Sequence, residues 1–270
     1  MSGHPPPPPP GPAPAVAPGP GDAQRLPSAF DAVLGYTLRA CLPAKRWFGV
    51  LLPCVGAVLF GLLSTLPDTS RERAFTGAAS NALFGLLLPL TCLVVGDAVM
   101  GADIRAGTFP LTWLSPVRFR VIVVGRWLGG WLVVLVTLVP AFALAAVVAG
   151  VAEVAAAIAI AAAFGAAAYV ALFEMIGVLA RRAAVWSLAV VLLGERLLGD
   201  ALSGIAQLSP LWLAGQAYAG FAEDDGGRRM LRDGVPQGGG ALVRLAVITV
   251  VCLTVATWRM RHIRPGSADE

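Results

Sequence analysis

Lysine is nearly absent from this chain: Lys45 stands alone against 19 arginines. No glycine-rich loop ends in Gly-Lys-Ser or Gly-Lys-Thr, and Lys45 lies in Pro-Ala-Lys-Arg. The chain therefore does not cradle nucleotide phosphates by the Walker route. Histidine occurs twice, as His4 and His262, both in polar tails. That placement argues against haem, a histidine metal site or a Ser–His nucleophile inside the apolar body, because such chemistry needs the imidazole within hydrogen-bond reach. The four cysteines, Cys41, Cys54, Cys92 and Cys252, show no metal-ligand spacing, and three lie in apolar runs. They read as small buried hydrophobes rather than a disulfide framework or zinc site. No catalytic, cofactor-binding or metal-binding residue is expected.

Charge is scarce as well. Charged residues make up 13% of the 270 and hydrophobic residues 57%, with a mean hydropathy of +0.76. A soluble domain carries about 25% charged residues and about 45–50% apolar ones. The composition points to one all-α unit embedded in a membrane and excludes a disordered, collagen-like or disulfide-stapled chain. The net charge of +4 comes from arginines beside apolar runs. The positive-inside rule accounts for it, and no nucleic-acid partner is expected.

Residues 1–27 lack any periodic apolar face. Pro5 to Pro10 is an unbroken proline run followed by Gly, Ala and Pro, which reads as a disordered, polyproline-II-like cytoplasmic tail. Residues 28–46 read as an amphipathic interfacial helix, with an extension of the first span as the alternative. Ser28 and Asp31 make a capping-box-like start, and Phe30, Val33, Leu34, Leu38, Cys41 and Leu42 recur at helical spacing. Six apolar runs follow, near 47–66, 82–102, 127–150, 154–180, 183–208 and 241–258. Each is close to the roughly 20 residues that cross a bilayer, so six transmembrane helices are expected. The third is open to an earlier start at Ser115-Pro116, and the fifth is long enough to tilt or break. The loops on one side of these spans hold 13 basic residues and those on the other hold six, with Arg196 inside span five left out. That bias places both termini in the cytoplasm of a cell-membrane protein, including the short tail at 265–270.

The stretch from Gly96 to Arg126 is the most informative. Asp103 is followed by Gly107-Thr108, then by Leu111, Trp113 and Leu114, then by Ser115-Pro116-Val117 with Arg120 three residues on; Arg126 opens the next helix. A Trp and Leu cluster on a loop needs cover, either from a partner's groove or from lipid headgroups. This order of residues, with the amphipathic helix, the six runs and the segment from Glu195 to Pro210, resembles the type-2 ABC exporter permeases. The resemblance spans most of residues 28–264; the proline tail lies outside it. It implies a permease that hydrolyses nothing itself. Residues 103–120 would be the coupling loop docking on a separate ATP-binding subunit, and two permeases, identical or related, would enclose the path. The positions carried over are Asp103, where Glu is frequent, and Gly107, Thr108, Leu111, Trp113, Leu114, Pro116 and Arg120. Arg126 stands where Lys is frequent.

Charges inside spans are functional candidates because each costs about 2.5–3.5 kcal/mol at mid-bilayer. Here they are Glu174 in span four and Glu195, Arg196 and Asp200 in span five. They read either as a polar lining of the export path or as a structural ion pair in a broken helix. They also support a rival class, an ion-coupled secondary carrier using these carboxylates. Its inverted-repeat symmetry is not visible, since the Asp103 loop has no counterpart between spans four and five. Gly125 and Gly129 form a Gly-x-x-x-Gly pair, and Ala157, Ala161 and Gly165 continue the small spacing; such faces let helices approach, first of all within one chain. The outer segment, 209–240, carries Leu211, Trp212, Leu213, Tyr218 and Phe221, an interfacial or re-entrant pattern.

Overall fold

The computed structural model describes residues 28–41, 47–66, 70–101, 117–180, 183–198, 203–222, 227–228, 231 and 234–262. Among these, every regular element is helical. α1 is Ala29–Cys41 and α2 is Trp47–Leu63. α3 is the rod Arg71–Val99. α4 is Phe119–Val148, α5 is Ala155–Leu179 and α6 is Ala183–Ala189. α7 is the short turn Ser203–Ala206, α8 is Pro210–Phe221 and α9 is Gly238–His262.

Four helices are long and apolar enough to cross a membrane: Arg71–Val99, Phe119–Val148, Ala152–Leu179 and Gly238–His262. At about 1.5 Å per residue, the 30 residues of α4 reach about 45 Å, well beyond a hydrocarbon core of about 30 Å. The first and fifth apolar runs give shorter helices, Phe48–Leu63 and Ala183–Glu195. The described residues are thus all-helical, with the elements of an integral membrane protein, four of them of full spanning length.

α1 starts as its capping residues require. Ser28 Oγ donates to Asp31 at 2.7 Å and accepts from the Asp31 N–H at 3.2 Å. Its inner face then lies on the first half of α4, where Gly125 and Gly129 make room. A Cβ at Gly125 would fall 2.9 Å from Val33 Cγ1, and one at Gly129 would fall 2.8 Å from Thr37 Cγ2. Any side chain there would push α1 away, so the glycine pair seats this helix within the chain.

α5 is the centre of the bundle, packed by α3, α4, α8 and α9. Its alanines let neighbours close in: a Cβ on Gly165 would meet Ala214 Cβ and Leu88 Cδ2, both at 3.0 Å. Gly150, at φ +79°, takes the left-handed turn that separates α4 from α5. Large aromatics fill the space that small residues leave. Phe84 meets Phe142 edge-on and tilts against Tyr218, each at 6.0 Å between ring centres. Two tryptophans of α4, stacked 5.6 Å apart, join α4 to α5 by hydrogen bonds: Trp127 Nε1 donates to the Ala167 carbonyl at 3.0 Å and Trp131 Nε1 to the Ala163 carbonyl at 2.9 Å. Hydroxyls hide in their own helices; Thr91 and Thr249 donate to the carbonyls four residues back.

Several boundaries differ from the sequence reading. α3 begins at Arg71 rather than near residue 82, because Phe75 and Thr76 are already buried and draw the polar first turns into the helix. A π-helical stretch, Ala79–Leu87, interrupts its α-helix, and a second, Asp97–Gly101, begins within its last residues and runs just past them. α4 starts at Phe119, with the residue at its N-terminal boundary being Arg118; Ser115 lies outside the described residues. In the fifth run α6 passes into a π-helical segment, Val190–Leu198; residues 199–202 lie outside the described residues, and α7 follows. In the outer segment, Leu211, Leu213 and Tyr218 of α8 are buried against the bundle instead of lying on an interface. Arg244 in α9 donates to Gln207 Oε1 at 2.9 Å.

Candidate functional site

Two polar centres interrupt the apolar interior, and both involve α5. The first lies where α1, α3, α4 and α5 meet. Arg126 is buried, 5% exposed, although its place in the sequence suggested a flanking charge. Its guanidinium donates through Nη1 to the Val99 carbonyl at 2.8 Å and lies 5.8 Å from the centre of the Tyr36 ring. Val99 is in the last described turn of α3, and Arg126 gives its carbonyl a donor with the added strength of a charge. The contact ties the end of α3 to the start of α4, and those two helix ends flank residues 102–116. Tyr36 brings α1 into the same junction.

Glu174 belongs to this centre. It is fully buried, and neither carboxylate oxygen has a hydrogen-bond partner. Arg126 is the cation that acts on it electrostatically, although no hydrogen bond joins the two. A buried carboxyl without a hydrogen bond is costly to keep. Its presence in the central helix of the bundle marks it as a functional position by the logic of intramembrane charges.

The second centre joins α5 to the fifth run. The Tyr169 hydroxyl donates to Glu195 Oε2 in a short bond, and both residues are buried. The Glu195 backbone carbonyl accepts from Trp212 Nε1 of α8 at 3.1 Å. The π-helical segment is therefore pinned on one side by α5 and on the other by α8. Tyr169 also stacks on Phe173 at 5.6 Å, and Phe173 fits against Gly96 of α3, where a Cβ would lie 2.8 Å from its own. Tyr169 and Glu174 are five residues apart, about 7.5 Å along the axis, so the two centres are near neighbours.

The positions singled out from the sequence divide accordingly. Glu174 and Glu195 are buried within the bundle. Arg120 is exposed in the first turn of α4. Asp103, Gly107, Thr108, Leu111, Trp113, Leu114, Pro116 and Asp200 lie outside the described residues, as does the side chain of Arg196. Sequence reasoning missed Tyr169, Tyr36, Trp127 and Trp131 and underrated Arg126. One signal was available: Tyr169 is the only polar side chain between Ala155 and Val170, an isolation that asks for a partner.

A buried arginine bridging two helix ends, a buried unpaired carboxyl and a tyrosine–carboxylate pair can bind, brace or relay protons; among the described residues no group of metal-binding side chains gathers. They mark a membrane-type helical bundle with a polar interior. No protein-family model matches the chain, and no curated protein matches it.

Proposed function

We propose that this protein is the membrane subunit of an ABC-type exporter, a six-span permease with both termini in the cytoplasm of a cell-membrane protein. Two permease copies, or one with a related permease, enclose the path, and separate ATP-binding subunits dock beneath residues 103–120. The observation that carries this reading is the Arg126–Val99 bond. It clamps together the two helix ends from which the loop of resemblance departs, so a load on that loop is delivered to both at once. α1 rides on α4 through Gly125 and Gly129, and the Trp127 and Trp131 bonds pass movement of α4 to α5. ATP-driven approach of the partner subunits then shifts α1, α3, α4 and α5 together and alternates access to the path. The short helices of the first and fifth runs complete the six crossings with their flanking residues. The mostly aliphatic spans suit an amphipathic or lipid-like cargo, and drug, antibiotic, lipid and peptide export all remain open. The test is a reconstituted complex with Trp113→Glu: insertion stays intact while transport-coupled ATPase activity falls. Unchanged activity would refute the docking assignment.

Glu174 supports a second reading, an ion-coupled carrier in which this buried, unpaired carboxyl binds the coupling proton. Under it, vesicles without nucleotide take up substrate along a proton gradient, and Glu174→Gln abolishes the uptake. Uptake that needs ATP and persists in Glu174→Gln removes this reading.

A further inference from the structure

At the end of the bundle where α4 begins and α9 stops, Arg118, Phe119, Arg120 and Arg261 line an open cavity of about 430 Å³. Three guanidinium groups from two helices thus converge on one space. None of the three makes an ion pair or hydrogen bond with the described residues. Like charges gathered round a cavity repel one another unless an anion shares it, and arginine is the side chain whose forked donors fit phosphate oxygens.

The surroundings say which kind of phosphate. The cavity lies at the ends of two helices long and apolar enough to cross a membrane, which is headgroup depth. Trp258, one turn before Arg261, is 58% exposed with its ring tilted over His262, the posture of an interfacial tryptophan. Val247, Val250 and Val251, exposed earlier on α9, continue an apolar track at helical spacing towards Trp258. A free anion would use the arginines alone; a molecule with a phosphate head and acyl chains would use the arginines and the track together.

We propose that this cavity is a binding site for the headgroup of an anionic phospholipid, held by Arg118, Arg120 and Arg261 with its chains along α9. A basic pocket between spanning helices at the membrane surface recognises lipid headgroups in this way. The site is separate from the Arg126 and Glu174 centre and does not depend on the exporter reading.

The test uses the purified full chain in neutral detergent, titrated with phosphatidylglycerol or with phosphatidylcholine of the same acyl chains, and bound lipid is counted by native mass spectrometry. Phosphatidylglycerol is expected to bind in preference to phosphatidylcholine. Arg118→Gln, Arg120→Gln and Arg261→Gln each lower its affinity about fivefold, and the triple exchange lowers it about a hundredfold. Arg244→Gln, 17 positions before Arg261 and about 25 Å away along the helix, leaves it unchanged. These side chains are at the surface, so circular dichroism of the variants stays that of the parent, and the single exchanges suffice if the triple one does not fold. Equal binding of the two lipids, or undiminished binding by the single variants, would overturn the proposal. Displacement of phosphatidylglycerol by an equal concentration of inorganic phosphate would assign the cavity to the free anion and overturn the lipid reading.

Discussion

α5 and α9 are both 25 residues long and similarly apolar, yet they occupy opposite environments. In the most apolar stretch of each, 61% of the residues of the span containing α5 are buried inside the protein, against 28% for α9. Water cannot sort them, because lipid tails are as apolar as a protein interior. What sorts them is side-chain size. α5 is built on alanine with Gly165 and Gly177, so neighbouring backbones approach it closely, and it carries the buried Tyr169 and Glu174. α9 presents Val243, Val247, Val250 and Val251 outward, β-branched surfaces that leave no groove for a neighbour. In a membrane protein the interior is marked by small residues and by stray polar ones, and hydropathy marks only the crossing.

The sharpest way to break this comparison is to put bulk on each helix. Gly165→Leu must displace Ala214 and Leu88 and is expected to cost about 1–3 kcal/mol or prevent assembly, read as lost resistance to denaturant in detergent. Val247→Leu on α9 stays within about 0.5 kcal/mol of the parent. Equal losses at the two sites would mean that α9 is as enclosed as α5. Next comes Arg126→Gln, which removes the charged donor to the Val99 carbonyl; loss of a charged hydrogen bond costs about 1.5–3 kcal/mol. Amide exchange at the end of α3 should rise with it, while exchange in α9 stays unchanged. The smallest effect has the opposite sign. Glu174→Met removes two buried oxygens that lack partners, and the thermal transition should move up, by about 1 kcal/mol in stability. A stability gain accompanied by lost transport would identify the carboxyl as kept for function at the expense of stability.

Much of this was legible at the level of local rules. The Ser28 and Asp31 cap, the approach at Gly125 and Gly129 and the burial of Glu174 and Glu195 all follow from short-range chemistry. What escaped was long-range. Tyr169 and Glu195 are 26 residues apart, and nothing near either one names the other. Arg126 reads as a flanking charge until the end of α3 is placed beside it, 27 residues away in sequence. The start of α3 was misjudged because Arg71, Glu72 and Arg73 look like loop, whereas the burial of Phe75 and Thr76 just after them decides the matter. Among the described residues four helices have full spanning length and the first and fifth runs give shorter ones, because a window of apolar residues does not show where a helix will shorten or turn π-helical.

The central claim, a permease driven by a separate ATP-binding subunit through residues 103–120, is tested most directly by co-purification. The tagged protein is extracted from its native membranes in mild detergent, and bound subunits are identified by photolabelling with an ATP analogue. The account predicts a near-stoichiometric ATP-binding subunit that is lost when Trp113→Glu and Leu114→Glu are introduced into otherwise stable protein. A protein that purifies without such a subunit, and still transports under a proton gradient alone, would contradict it.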